Sequence, residues 1–108
     1  MPQNAKTHDR YLIYIDQDFS DIVPEFIDSV YENIKEIETA LNEKDMESIC
    51  RIGHNLKGTG GGYGFEQLST FGSAIEESGK IADINAVSQL VSEISDYLSK
   101  IKIQYIDR

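Results

Sequence analysis

His54 is the only histidine outside the polar run that opens the chain, and Lys57 follows it three residues later. Both stand in a stretch crowded with glycine: Arg51-Ile52-Gly53-His54-Asn55-Leu56-Lys57-Gly58-Thr59-Gly60-Gly61-Gly62-Tyr63-Gly64-Phe65. A free imidazole titrates near about 6.5, so much of it is neutral and nucleophilic at neutral pH. Such a ring can attack a phosphoryl group and hold it as a labile phosphoramidate, which splits one transfer into two. A lysine one turn away offsets the arriving negative charge. No donor site is built into the stretch. Donor, acceptor and any Mg²⁺ are therefore expected on a partner protein, since phosphoryl transfer is mostly positioning and electrostatics.

Competing chemistries fit the residues less well. A phosphate cradle needs G-x-G-x-x-G, but Tyr63 and Phe65 occupy the positions where the last glycine would fall. The Walker pattern fails as well, because Gly79-Lys80 is followed by Ile81 and Ala74 stands where its first glycine belongs. Metal binding lacks an H-x-x-x-H, and Arg51 takes the place of the glutamate that an E-x-x-H ligand pair requires. Cys50 has no second cysteine to resolve a redox step. His8, in the polar run, reads as an unstructured side chain.

The elements that must position these groups follow from periodicity. Each interior glycine in a helix costs about 1 kcal/mol, so Gly53, Gly58, Gly60, Gly61 and Gly62 together cost roughly 4–5 kcal/mol. A typical domain has only about 5–15 kcal/mol in total, so the concentration needs a reason. On a helix of about 100° per residue, Ile49, Ile52, Gly53, Leu56 and Gly60 share one buried stripe. Gly53 and Gly60 on that stripe would let another helix approach closely. His54 falls on the opposite side, with Cys50, Lys57, Gly58 and Gly61 around it. Cys50, Arg51, Gly58 and Gly61 are then the candidate partner-docking positions, and the imidazole is expected to point into water.

Three further helical stripes surround this one. The first is expected over about residues 21–42, with Asp21 as its cap, Pro24 in its first turn, and Ile22, Phe26, Val30, Ile34, Ile37 and Leu41 inward. The glycine-rich helix should run from Met46, capped by Asp45, to Gly62 or Tyr63. A third carries Phe65, Leu68, Phe71 and Ile75 over about residues 65–78, with Gly79 as the stop. The last is expected over about residues 83–105, through Ile84, Val87, Leu90, Val91, Ile94, Leu98 and Ile101. Tyr11-Leu12-Ile13-Tyr14-Ile15 has strand propensity but no evident partner strand, so it reads as an extended or short helical arm across the bundle. Short links predict antiparallel neighbours. The expected architecture is an all-α, up-down-up-down antiparallel four-helix bundle, with residues 1–20 as an arm and 21–108 as the domain.

Composition narrows the partners. The chain has 108 residues, 10 Lys plus Arg against 19 Asp plus Glu, and a net charge of −9. An acidic domain is a poor match for nucleic acid or an anionic membrane. One cysteine and the lack of an apolar leader or span point to a cytoplasmic setting.

With its residues laid out, the stretch His54-Asn55-Leu56-Lys57-Gly58, followed by small residues to Phe65, resembles the H-x-x-K-G signature of histidine phosphotransfer (HPt) domains of bacterial phosphorelays. Leu68 and Gly72-Ser73-Ala74-Ile75-Glu76 are similar to the family's next helix, though the run Gly60-Gly61-Gly62 is richer in glycine than the family usually shows. The resemblance implies that His54 receives a phosphoryl group from a receiver aspartate or a histidine kinase and passes it to another receiver aspartate. It also implies that Lys57 lies beside the phosphate, that Gly58 and Gly61 admit the receiver, and that Mg²⁺ sits on the receiver. No cofactor of its own and no autokinase activity are expected, and members are commonly monomers. A helical adaptor that docks signalling partners without accepting phosphate is the alternative.

Overall fold

Aspartate side chains cap two of the four helix N-termini. The computed structural model describes residues 11–107; His8 and the rest of the first ten residues lie outside that span. In chain order the elements are strand β1 (Tyr11–Asp16), a 3₁₀ turn (Gln17–Phe19), helices α1 (Val23–Glu43), α2 (Met46–Gly62), α3 (Glu66–Lys80) and α4 (Ile84–Lys100), and strand β2 (Ile101–Ile106).

Asp45 caps α2 as its position suggests: Oδ1 accepts the Ser48 N–H at 3.1 Å, and Ser48 Oγ donates to Oδ2 at 2.6 Å. These bonds, together with Arg51, hold the Asp45 carboxyl below its ordinary value against the opposing effect of burial. Asp83 caps α4 through the Ala86 N–H at 3.0 Å. The expected cap at Asp21 is not formed. The 3₁₀ turn, itself capped by Asp16, runs straight into α1: Ile22 N–H donates to Phe19 O and Phe26 N–H to Ile22 O. Asp21 is left exposed, and Ile22 caps α1 with no side-chain bond.

One apolar core joins the four helices. It includes Phe26, Val30, Ile34 and Ile37 of α1, Ile49, Ile52 and Leu56 of α2, Leu68, Phe71 and Ile75 of α3, and Val87, Val91, Ile94 and Leu98 of α4. Burying each such side chain stabilises the fold by roughly 1.5–3 kcal/mol. Phe65, just before α3, packs its ring 5.4 Å from that of Phe26, which also meets Tyr63 at 4.9 Å.

Two expectations at the chain's ends are corrected. Residues 101–106 are not the end of the last helix, and the segment before α1 is not a solitary arm. β1 and β2 pair in parallel, Tyr11 opposite Ile101 through Asp16 opposite Ile106. Ile101, Ile103 and Tyr105 are half-buried while Lys102 and Gln104 are exposed, which is strand alternation. Leu98, Ile101 and Tyr105 also match a helical step, so the sequence pattern there is ambiguous. Only the docking of α4 brings the partner strand within reach. Ile15 enters the core at 1% exposure. Gly79 is not a stop either: α3 continues through it to Lys80, and the left-handed residue of the turn is Ala82, φ 55°.

Candidate functional site

α2 and α3 pack backbone to backbone. A Cβ on Gly53 would lie 2.7 Å from Glu76 N and 2.9 Å from Gly72 O, and one on Gly72 would overlap Lys57 N. Gly60 and Gly79 meet equally close neighbours, Ser69 N and Cys50 Sγ. Real Cβ atoms do not sit at such distances, so the interior glycines on the inward stripe are required by the helix–helix approach. Ser69 Oγ donates to Lys57 O at 2.9 Å and ties the two helices at the same level.

This close approach brings a third side chain to the site. Glu76 of α3 reaches across with both oxygens: Oε2 lies 3.2 Å from His54 Nδ1 and Oε1 lies 3.4 Å from Lys57 Nζ. The histidine side chain is 65% exposed and the glutamate 15%. Burial pushes the Glu76 carboxyl up, but the charges of Lys57, His54 and Lys80 outweigh it and hold it below its ordinary 4.5. At neutral pH Glu76 is therefore a carboxylate, which can only accept hydrogen bonds. In the neutral ring Nδ1 then carries the proton, and the lone pair on Nε2 is left available.

Glu76 and Ser69 were not among the candidate site residues; Glu76 stood out only as part of Gly72-Ser73-Ala74-Ile75-Glu76. A signal for Glu76 was present: it stands four residues after Gly72 and three before Gly79, on the α3 face that carries the small residues.

The other candidate residues fall as follows. A Cβ on Gly58 would meet nothing within 4 Å, and one on Gly61 would meet only Ser69 atoms at ordinary contact distance; both glycines are exposed. Arg51 is exposed, with its charge felt at Asp45. Cys50 is not on the open face. It is half-buried against α3, its thiol donating to Glu76 O at 3.7 Å. The tight α2–α3 contact covers a position that a helical wheel of α2 alone leaves in water. Among the described residues no three His, Cys, Asp or Glu side chains gather as a metal site.

A family model described as the Hpt domain matches residues 21–103. The chain belongs to the Hpt domain family. No curated protein and no solved structure matched the chain. Membership gives this Hpt domain a phosphotransfer role in two-component signalling, alongside the receiver domains and histidine kinases with which the family interacts. Hpt domains are, as a family, phosphocarriers without kinase activity. The match ends inside β2 and leaves β1 out, so the strand pair of this Hpt domain extends beyond the matched region. No helix among its described residues is long and apolar enough to cross a membrane.

Proposed function

We propose that His54 is the phosphoacceptor of a phosphorelay step. Nε2 attacks phosphorus, and the bond to the donor's aspartyl oxygen (or phosphohistidine nitrogen) breaks. The donor side chain leaves with its electron pair. The phosphorylated ring, still protonated at Nδ1, is a cation that the Glu76 carboxylate opposes at 3.2 Å. Return of the phosphoryl group to a receiver aspartate reverses the same steps. The 3.2 Å contact carries this reading, because it selects the tautomer with Nε2 free while the ring remains open to a partner.

Glu76 acts as a positioning residue. Lys57 neutralises part of its charge and stands ready to pair with the phosphate. Arg51, Gly58 and Gly61 lie around the ring as the surface on which a receiver would dock, and Mg²⁺ would arrive with that receiver. The same reading takes residues 21–108 as the phosphotransfer domain, its helices running up-down-up-down as their short links favour, acting as a cytoplasmic monomer.

The test is incubation of the full chain with phosphorylated receiver domains, followed by mapping of the label. The expected product is acid-labile and base-stable, and it is absent from His54→Gln. Label that persists in His54→Gln would overturn the assignment. Receiver binding without any transfer would instead identify an adaptor.

A further inference from the structure

β1 has a partner on one side only: the described residues form a two-stranded sheet in which it pairs with β2 alone. Its unpaired side faces a groove. Tyr11, Leu12, Ile13 and Tyr14 line a cavity of about 970 Å³ with residues of α3 and α4, and β2 contributes nothing to that lining. Tyr11, Leu12 and Tyr14 are 44%, 54% and 60% exposed, a large apolar and aromatic surface for a strand of six residues. Exposed strands of this kind offer unmet N–H and C=O groups, and most domains cover or charge them. Here the charges are on the opposite wall.

Phe71 and Tyr97 form the floor, their rings 5.8 Å apart, with the Tyr11 ring 5.3 Å from that of Tyr97. Glu66, Glu93 and Asp96 stand along the helical wall, and among the described residues no lysine, arginine or histidine lines the groove. Asp96 is met by Lys100 at 3.3 Å. Glu66 and Glu93 have no cationic partner among the described residues, Glu93 accepting only from Gln89. A net charge of −9 opposes a second copy of this chain as the occupant.

From the free strand side, the aromatic floor and the acidic wall we infer that this groove binds an extended, lysine- or arginine-bearing segment of a partner protein, which adds a strand beside β1. Main-chain hydrogen bonds to β1 supply affinity without sequence preference, while alternate side chains face the floor. Cationic side chains reach Glu66 and Glu93 or lie over the tyrosine rings. None of His54, Lys57 and Glu76 lines the groove. A segment held there leaves the imidazole open and raises the local concentration of whatever protein carries it.

The test is titration of the full chain with a peptide of four Lys-Val repeats, followed by amide NMR and fluorescence anisotropy. Expected are shifts concentrated in Tyr11–Asp16 and around Phe71, Glu93 and Tyr97. The double variant Glu66→Lys, Glu93→Lys should bind roughly tenfold more weakly or worse. The same peptide with alternate backbone nitrogens methylated keeps its charge but cannot extend a sheet, and it should lose binding. Equal affinity for the methylated peptide, or shifts spread over the acidic surface of α1, would overturn the proposal. So would β1 shifts that depend on protein concentration alone, with sedimentation showing a dimer. His54→Gln should bind the peptide as the parent does, so failure here is distinguishable from failure of the phosphotransfer reading.

Discussion

Gly53 and Gly72 face one another across the α2–α3 contact, each lacking the Cβ that would come within 2.9 Å or less of the other's carbonyl oxygen. The meeting of His54, Lys57 and Glu76 depends on this approach. It brings Glu76 to His54 and Lys57, residues of a different helix. Gly72→Ala should destabilise the fold by about 1–3 kcal/mol, as overpacked contacts do, and displace Glu76. Chemical denaturation gives the first result. Loss of the His54 Nδ1 proton signal in NMR gives the second.

Gly58 behaves oppositely. A Cβ there would touch nothing, so Gly58→Ala should raise stability by roughly 0.5–1 kcal/mol through helix propensity alone. A larger side chain on the same surface, in Gly58→Leu or Gly61→Leu, should slow transfer from a phosphorylated receiver while leaving the thermal midpoint at or above the parent's. Unchanged transfer in both would remove the steric role of the open face.

Replacing Glu76 separates orientation from acceptance. In Glu76→Ala, His54 remains, but Nδ1 loses its acceptor and Lys57 its partner. Transfer from a receiver should slow by roughly ten- to a hundredfold, the range expected for losing one hydrogen bond to a charged group. His54→Gln should abolish transfer altogether while shifting stability by no more than about 0.5 kcal/mol, as expected of an exposed side chain. Stopped-flow or radiolabel transfer assays distinguish the two.

Acid should reveal the Glu76 carboxylate. Its folded value is depressed, so the unfolded chain takes up the proton first as the pH falls. Its contribution is fully present above the ordinary carboxylate value and is lost as the pH drops through the lower folded value. Side-chain carboxyl NMR should give a Glu76 midpoint below 4.5, and Lys57→Met should move that midpoint upward. A midpoint unaffected by Lys57→Met would place the cause elsewhere.

Ile15 tests whether β1 belongs to the fold. It lies outside the region matched by the family model, yet it is as buried as the helix cores. Ile15→Ala should cost about 2–5 kcal/mol, the range for truncating an enclosed aliphatic side chain. A near-neutral effect in urea denaturation would show that the strand only rests on the surface.

The buried stripe of the glycine-rich helix was legible in the sequence. Ile49, Ile52, Gly53, Leu56 and Gly60 are its buried residues, as a helical step assigns them, and His54 stands in water on the other side. Asp45 could be recognised as a cap because a cap acts within three residues of itself, whereas Asp21, expected to cap on the same ground, lost that place to the 3₁₀ turn that runs into α1. These relations depend on neighbours in the chain, and residue type at short spacing is enough to determine them. Glu76, 22 residues from His54, the turn of Cys50 into a contact, and the pairing of Tyr11 with Ile101 were not determined in that way. They depend on how closely whole helices dock and where the two ends of the chain meet. Patterns of three or four residues do not encode those distances, and only the tertiary structure decides them.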